Sequence, residues 1–144
     1  MPTFTIFDEY LRTEGDGQID VDGHVFKFYL SDAAPDQAAH TAKGNIAEIA
    51  SNGGYVAFTA TIAWTETGAG SGVWRFDATT DPTWTAAGGD IDTHRYLILY
   101  DATASASSAL VGYVDRGSSD IIASGATRTW VITSSGLYEK SATP

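Results

Sequence analysis

Tryptophans spaced ten residues apart are the first feature of this chain that points to a binding role. Trp64, Trp74 and Trp84 recur at that interval. An exposed indole ring stacks on sugar rings in carbohydrate-binding proteins, and it also dominates the contact energy of many protein interfaces. Because successive strands would each carry one Trp, we interpret the three as aromatics of the core or of a subunit interface. A sugar-stacking platform is the alternative.

Acidic residues cluster in a second stretch, from Asp16 to Asp22, which alternates like a calcium loop. The register of an EF-hand fails, because placing Gly17 at the invariant glycine puts Arg12 at the first ligand position and Gly23 at the twelfth. The twelfth position needs a bidentate Glu. We therefore predict a solvated acidic hairpin, and an irregular calcium site stays as the alternative.

The remaining reactive residues match no catalytic motif. The histidines His24, His40 and His94 lie far apart in the chain, and Asp90–Asp92 sits at a glycine turn. The glycine-rich Gly68–Gly72 lacks the Lys-Ser/Thr that completes a phosphate-binding loop. The chain contains no cysteine and no G-x-S-x-G nucleophile motif. The sequence thus predicts a protein that is not an enzyme and needs neither a cofactor nor a metal.

Charge and length restrict the partners that the protein can have. Its 144 residues carry 8 Lys+Arg against 18 Asp+Glu, which gives a net charge of −10. Phosphate backbones and anionic membranes are bound through clustered Lys and Arg, so we expect no nucleic acid and no membrane as partner. No apolar run approaches the ~20 residues of a membrane span, and we expect no signal peptide. A chain of this length forms one domain.

Apolar and polar residues alternate with a period of two along most of the chain, which indicates strands. The alternation is clearest at 25–30, 55–65, 73–78, 95–100 and 109–115. Short strands separated by frequent turns predict an all-β, single-domain antiparallel β-sandwich, jelly-roll or Ig-like, with at most one short helix. The predicted core residues alternate within these strands: Phe26, Phe28, Leu30, Phe58, Ile62, Tyr96, Ile98, Tyr100, Val111 and Tyr113.

One helix and two terminal segments complete the expected architecture. The best helical candidate covers residues 38–50, where Ala and Ile recur among polar residues. We expect an N-terminal arm and acidic turn at 1–23, the β-sandwich domain at 24–140 and a tail at 141–144. The helix is expected to be short, because a glycine interrupts its sequence.

Residues 3–12 are ambiguous, because 3–6 alternate like a strand while Phe4, Phe7, Tyr10 and Leu11 also fall at helical spacing. Their apolar side chains exceed what a frayed terminus needs, and an exposed apolar segment marks a site of contact. This pattern predicts an arm that packs against a partner protein. The candidate capsid-contact residues of the arm are Phe4, Ile6, Phe7, Tyr10 and Leu11.

Five segments stand out although none of them is catalytic. They are VFKFYL at 25–30, IAEI at 46–49 followed by NGGY at 52–55, WTAAGGDI at 84–91, RYLILYDAT at 95–103 and LVGYVDRG at 110–117. In this order they resemble a family of small virion proteins of tailed bacteriophages. Its members carry a W-x-A … RY-x-x-LYD-x-T … L-(I/V)-G-Y-x-D-x-G pattern, and the resemblance covers roughly residues 25–133.

The resemblance implies a structural component of the virion that has no catalytic residues. We expect a capsid decoration (cement) protein that binds and stabilises the head exterior. Its partners would be the major capsid protein and further copies of itself, assembled as a homotrimer. The Trp-bearing strands would then supply part of the subunit contact. A receptor- or carbohydrate-binding module on the virion surface, or a tail structural protein, is the alternative.

Overall fold

A computed structural model describes residues 3–103, 108–132 and 137–141 of the chain. In this part of the chain there are ten strands, β1 to β10, and one α-helix, α1, over Asp8–Gly15. The strands are Phe4–Ile6, Phe26–Ser31, Phe58–Ala60, Ile62–Glu66, Val73–Ala78, Thr83–Thr85, Ile91–Asp101, Leu110–Ile122, Thr127–Thr129 and Tyr138–Ser141. No helix among the described residues is long and apolar enough to cross a membrane.

The larger sheet has five strands in the order β1-β8-β7-β2-β3, and every neighbouring pair is antiparallel. Its central strands β7 and β8 are the longest of the described strands, with 11 and 13 residues. On β7, Leu97, Ile98 and Leu99 are all fully buried. Both faces of this strand are therefore covered, and a strand covered on both faces carries a continuous apolar run instead of an alternating one.

The pairing of β7 with β8 brings together the two most distinctive sequence segments, RYLILYDAT, which lies mostly on β7, and LVGYVDRG on β8. Arg95 on β7 donates two hydrogen bonds to the Asp115 carboxylate on β8, at 2.8 and 2.9 Å. These bonds from the guanidinium hold the pKa of the Asp115 carboxyl below its usual range. The two segments thus meet as one cross-strand ion pair at the centre of the sheet.

Gly112 on β8 is required by the close approach of β1. A Cβ atom at this position would fall against the ring of Phe4 and 2.6 Å from the carbonyl oxygen of Thr5. Any larger residue would push β1 away from its partner strand, because a backbone oxygen cannot move aside as a flexible side chain can. The glycine of LVGY therefore allows the N-terminal strand to join the sheet.

The smaller sheet has the order β10-β5-β4 and meets the larger one through aromatic side chains. Phe76 of β5 is fully buried and contacts Phe26 of β2 edge-on, with ring centroids 5.7 Å apart at 86°. Tyr10 of α1 approaches Phe76 at 6.0 Å and Tyr138 of β10 at 5.8 Å. Both sheets and the helix therefore share one core, with Phe76 at their junction.

The predicted helix over 38–50 is wrong. The one helical element in that segment is a 3-10 turn at Lys43–Asn45. Side-chain contacts, and not helical hydrogen bonds, hold the segment against the larger sheet. The Lys43 ammonium lies 5.3 Å from the ring centroid of Tyr29 and 2.6 Å from the Glu48 carboxylate. The Tyr55 hydroxyl donates to Glu48 at 3.0 Å. These side-chain contacts outweigh the helical preference of the alanines, which is a weak local term.

One short helix is present, as expected, but it lies at the N-terminus. Residues 3–12, whose sequence left strand and helix open, form β1 and then α1. The backbone N–H of Phe7 donates to the carbonyl of Val111, and that of Asp8 donates to the carbonyl of Gln37. The segment assigned to a separate arm at 1–23 is thus, over β1 and α1, part of the body of the domain.

The predictions of fold class and of most of the core are confirmed. The described residues form an all-β, antiparallel, single-domain fold, in which a two-stranded sheet of β6 and β9 accompanies the two larger ones. Seven of the ten predicted core residues are buried. The other three, Phe58, Ile62 and Tyr113, are half-buried and pack against the same core.

Candidate functional site

Trp64, Trp74 and Tyr138 form a strip of near-parallel aromatic rings on the smaller sheet. The ring centroids of Trp64 and Trp74 are 6.2 Å apart at an interplanar angle of 22°, and those of Trp64 and Tyr138 are 6.2 Å apart at 29°. Trp74 is 40% exposed, whereas Trp64 and Tyr138 are half-buried. Trp64, Trp74, Lys140 and Ser141 line a groove of about 190 Å³, which we call the aromatic groove.

Strand register explains why these side chains gather on one side of the smaller sheet. Trp64 on β4 pairs across from Phe76 on β5, and Trp74 pairs across from Glu66 on one side and Lys140 on the other. Directly paired residues project to the same face, so all five share the side on which Phe76 enters the core. The aromatic groove is therefore the continuation of the core face beyond the part that α1 and the larger sheet cover.

Polar contacts are made on both sides of the aromatic groove, at the tip between β4 and β5 and next to α1. The Glu66 carboxylate accepts the backbone N–H groups of Gly70 and Gly72, at 3.1 and 2.9 Å, and thereby orders the tip between β4 and β5. On the other side, the Lys140 ammonium lies 3.3 Å from the Glu14 carboxylate of α1. An acidic group and a basic group thus flank the exposed ring of Trp74.

Trp84, the third candidate interface aromatic, lies in the core. It is 5% exposed, its Nε1–H donates to the carbonyl of Val56 at 2.8 Å, and its ring contacts that of Phe58. Its strand β6 pairs with β9 in the small third sheet. The ten-residue spacing therefore brings Trp64 and Trp74 together and leaves Trp84 apart, because only the first two belong to neighbouring strands of one sheet.

Three of the five candidate capsid-contact residues are buried inside the domain. Phe4 is 9% exposed, and Phe7 and Tyr10 are fully buried. Ile6 is half-buried against the same core, and Leu11 alone among the five is exposed. The interpretation of this segment as a free arm is thus corrected, since its apolar residues fasten β1 and α1 to their own domain.

The acidic stretch around Asp20 is a hydrogen-bonded turn. The Asp20 carboxylate accepts the backbone N–H groups of Asp22 and Gly23, at 3.1 and 3.0 Å. Asp36 builds the same turn four residues before His40, with its own carboxylate on two backbone N–H groups. Within the described ranges, no group of three or more His, Asp or Glu side chains is placed to hold a metal ion.

His24, which ends the Asp20 turn, pairs with a buried carboxylate. Its Nδ1 lies 2.5 Å from Oδ2 of Asp101, which is fully buried and also accepts the backbone N–H of Thr103 at 2.9 Å. A histidine oriented by a buried aspartate is two-thirds of a catalytic triad. The contacts of the described residues give His24 no hydroxyl nucleophile, and the pair joins the start of β2 to the end of β7.

His94 is a fully buried histidine, and it sits at a bulge of β7. Its Nδ1 donates to the carbonyl of Asp92 at 2.9 Å, which leaves the neutral ring without a proton on Nε2. Burial is the main reason why the pKa of His94 lies below its ordinary value of 6.5. Arg116 and Arg128 lower this pKa further, whereas Asp120 and the bond to Asp92 raise it.

We expect the folded state to lose stability as the pH falls below 6.5. The unfolded chain protonates His94 near its ordinary pKa of 6.5, whereas folded His94 takes up the proton only at lower pH. In that window the unfolded state binds more protons, so the stability that is fully present above it is progressively lost. Thermal melts between about pH 8 and about pH 5 check this against His94→Asn, whose amide can still donate to Asp92. An equal drop in both proteins would contradict the assignment.

Sequence reasoning missed Tyr138 and Lys140 as members of this site. Their strand, β10, pairs with β5, which lies far away in the sequence. No local pattern indicates which strand a terminal segment will join, because the pairing is decided by packing on the core. The polar side of the groove is therefore visible only in the folded chain.

Comparisons with known proteins yield no relative. Neither a protein-family model, nor a curated protein, nor a solved structure matches this chain.

Proposed function

We propose that the protein is a structural protein of a bacteriophage virion and that it decorates the exterior of the capsid. Its partners in this proposal are the major capsid protein and other copies of itself, assembled as a trimer. The observation that carries the proposal is the place of the segments that resemble tailed-phage virion proteins. RYLILYDAT and LVGYVDRG supply most of the two central strands, β7 and β8.

Residues of that pattern have structural roles in the fold. Arg95 and Asp115 form the ion pair between the central strands, and Asp101 is the buried partner of His24. Gly112 makes room for β1. A pattern of this kind specifies a framework and not a set of reacting groups, which favours a binding role for the protein over catalysis.

Assembly on a lattice suits a small acidic domain of this kind. A subunit whose affinity for the assembled shell is higher than its affinity for free capsid protein stabilises the shell by mass action. Capsid lattices offer local three-fold positions, and a closed ring of three identical subunits fits such a position without an open edge. The net charge of −10 also limits adhesion of the decorating subunit to nucleic acid.

Binding to undecorated heads tests the proposal. The purified full chain is mixed with heads that lack it, bound copies are counted by quantitative gel analysis, and its mass in solution is measured by light scattering. We expect saturable binding, a trimer in solution and heads that resist a higher temperature. Binding to isolated tails alone would replace decoration by the tail alternative, and binding to neither particle would overturn the proposal.

A point variant, and not a truncation, tests whether the N-terminal segment contacts the capsid. Removing residues 1–12 would also remove β1 and five of the eight residues of α1, some of whose side chains are part of the core. Leu11→Ser changes the one of the five candidate contact residues that is exposed, at 53%. Reduced head binding by this variant, with an unchanged thermal melt, would assign Leu11 to the capsid contact.

A further inference from the structure

We propose that the aromatic groove binds a neutral hexopyranose ring of a glycan. This inference goes beyond capsid decoration and does not depend on it, because one copy of the chain supplies the whole groove. Three properties of the surface carry it: the arrangement of the rings, the polar groups on either side of Trp74, and the size and charge of the site.

The rings provide a platform for the apolar face of a sugar. A pyranose has one face of C–H groups, which packs on an aromatic ring, and an edge of hydroxyl groups. Trp74 offers 40% of its surface to solvent. Its ring is near-parallel to Trp64, which in turn lies near-parallel to Tyr138. The exposed indole is thus backed by two further rings and keeps its orientation without a ligand.

The polar groups flank the platform where the hydroxyl edge of a sugar would lie. Lys140 is directly across from Trp74 on β10, and Glu66 is directly across from it on β4. An ammonium donates hydrogen bonds and a carboxylate accepts them, so a hydroxyl, which does both, matches either side. Glu66 already accepts two backbone N–H groups, but a carboxylate has about four acceptor positions and keeps some of them for a ligand.

Charge selects a neutral sugar. The protein carries a net charge of −10, and Lys140, the ammonium that lines the groove, is already paired with Glu14 at 3.3 Å. Among the described residues that line the groove, Lys140 is the one cation, so an anionic sugar or a phosphate would meet an acidic surface whose cation already has a counter-charge. A hydroxyl edge makes no such demand, since its hydrogen bonds need no net charge.

Size favours one or two sugar rings over a protein partner. The groove measures about 190 Å³, which is smaller than the ~300–1,000 Å³ of pockets for drug-sized ligands. A stable protein interface covers about 800 Å² on each partner. Among the described residues of the smaller sheet, Trp74 is the one exposed large hydrophobic side chain. The surface therefore suits a small ring better than a second copy of the chain.

Tryptophan fluorescence of the purified full chain tests this inference. The chain is titrated with maltoheptaose and laminarihexaose as neutral probes and with a galacturonate oligomer as the anionic probe. We expect a saturable change with at least one neutral probe and none with the anionic one. Trp74→Ala is expected to lower the affinity by about tenfold or more, Trp74→Phe by less, and Val56→Ala, exposed elsewhere, not at all.

The outcomes separate this inference from capsid decoration. It is overturned if neither neutral probe gives a saturable change, if the anionic probe binds as well, or if Trp74→Ala binds sugar like the wild type. It is also overturned if Trp74→Ala loses the trimer or its binding to heads, because the ring is then a protein contact. Sugar binding by a chain that has no affinity for heads would overturn decoration and support the groove.

Discussion

Phe76→Ala is expected to destabilise the protein by about 3–5 kcal/mol, which lowers the midpoint of thermal unfolding by roughly 10 °C. Phe76 is fully buried, and its ring meets Phe26 of the larger sheet and Tyr10 of α1. Its removal leaves a cavity where the two sheets and the helix converge. Thermal melts and urea unfolding of the variant and the wild type measure the loss.

Two control variants show whether the loss of stability in Phe76→Ala comes from the contacts of this ring with Phe26 and Tyr10. Phe76→Leu keeps most of the buried volume, so its loss should be clearly smaller than that of Phe76→Ala. Val56→Ala removes a side chain that is 70% exposed and should stay within about 0.5 kcal/mol of the wild type. A loss below about 1 kcal/mol for Phe76→Ala would show that the smaller sheet does not depend on this contact.

His24→Ala is expected to cost about 2 kcal/mol, and His40→Ala much less. Both histidines end the same kind of turn, which begins at Asp20 in one case and at Asp36 in the other. Only His24 also reaches a buried carboxylate, that of Asp101. Removing the imidazole takes a hydrogen bond from a fully buried carboxylate, and this costs more than the loss of an exposed turn contact, because a hydrogen bond to a charged group is worth about 1.5–3 kcal/mol.

A double-mutant cycle separates the pair from the turn. Asp101→Asn removes the buried charge and keeps the shape of the side chain. It should be costly in the wild type and neutral or stabilising once His24 is alanine, because the buried charge then no longer gains the interaction with the imidazole. Urea midpoints of the four proteins give the coupling. Equal losses for His24→Ala and His40→Ala would contradict a role of the buried pair in stability.

The local sequence was sufficient to predict that the chain is rich in strands and where most of the strands and turns lie. Alternation along 73–78 reflects side chains that point to opposite faces, whereas 96–100 is a continuous apolar run of a strand that is buried on both faces. For residues 3–12 the pattern left strand and helix open, and the segment forms β1 and then α1. The local sequence also identified the glycines and acidic residues of the turn before β2, since turn chemistry acts over only a few residues.

Burial of the aromatic side chains was decided by the tertiary structure. Trp64, Trp74 and Trp84 have equal spacing, yet two of them line the aromatic groove and one lies in the core. The difference comes from the partner strand, because β4 and β5 pair with each other whereas β6 pairs with β9. Pairing between distant strands depends on the shape of the whole core, which no local pattern encodes.

The N-terminus and the segment 38–50 illustrate the same limit from the other side. Phe7 and Tyr10 looked like contacts for a partner, and the sheet of their own chain covers them. The sequence of 38–50 predicted an α-helix, but the segment forms a 3-10 turn, and Lys43 contacts the ring of Tyr29 and the carboxylate of Glu48. Sequence alone thus determined which residues are apolar and how they alternate. The tertiary structure decided what each apolar residue packs against, because burial energy depends on the surface that covers a side chain and not on its neighbours in sequence.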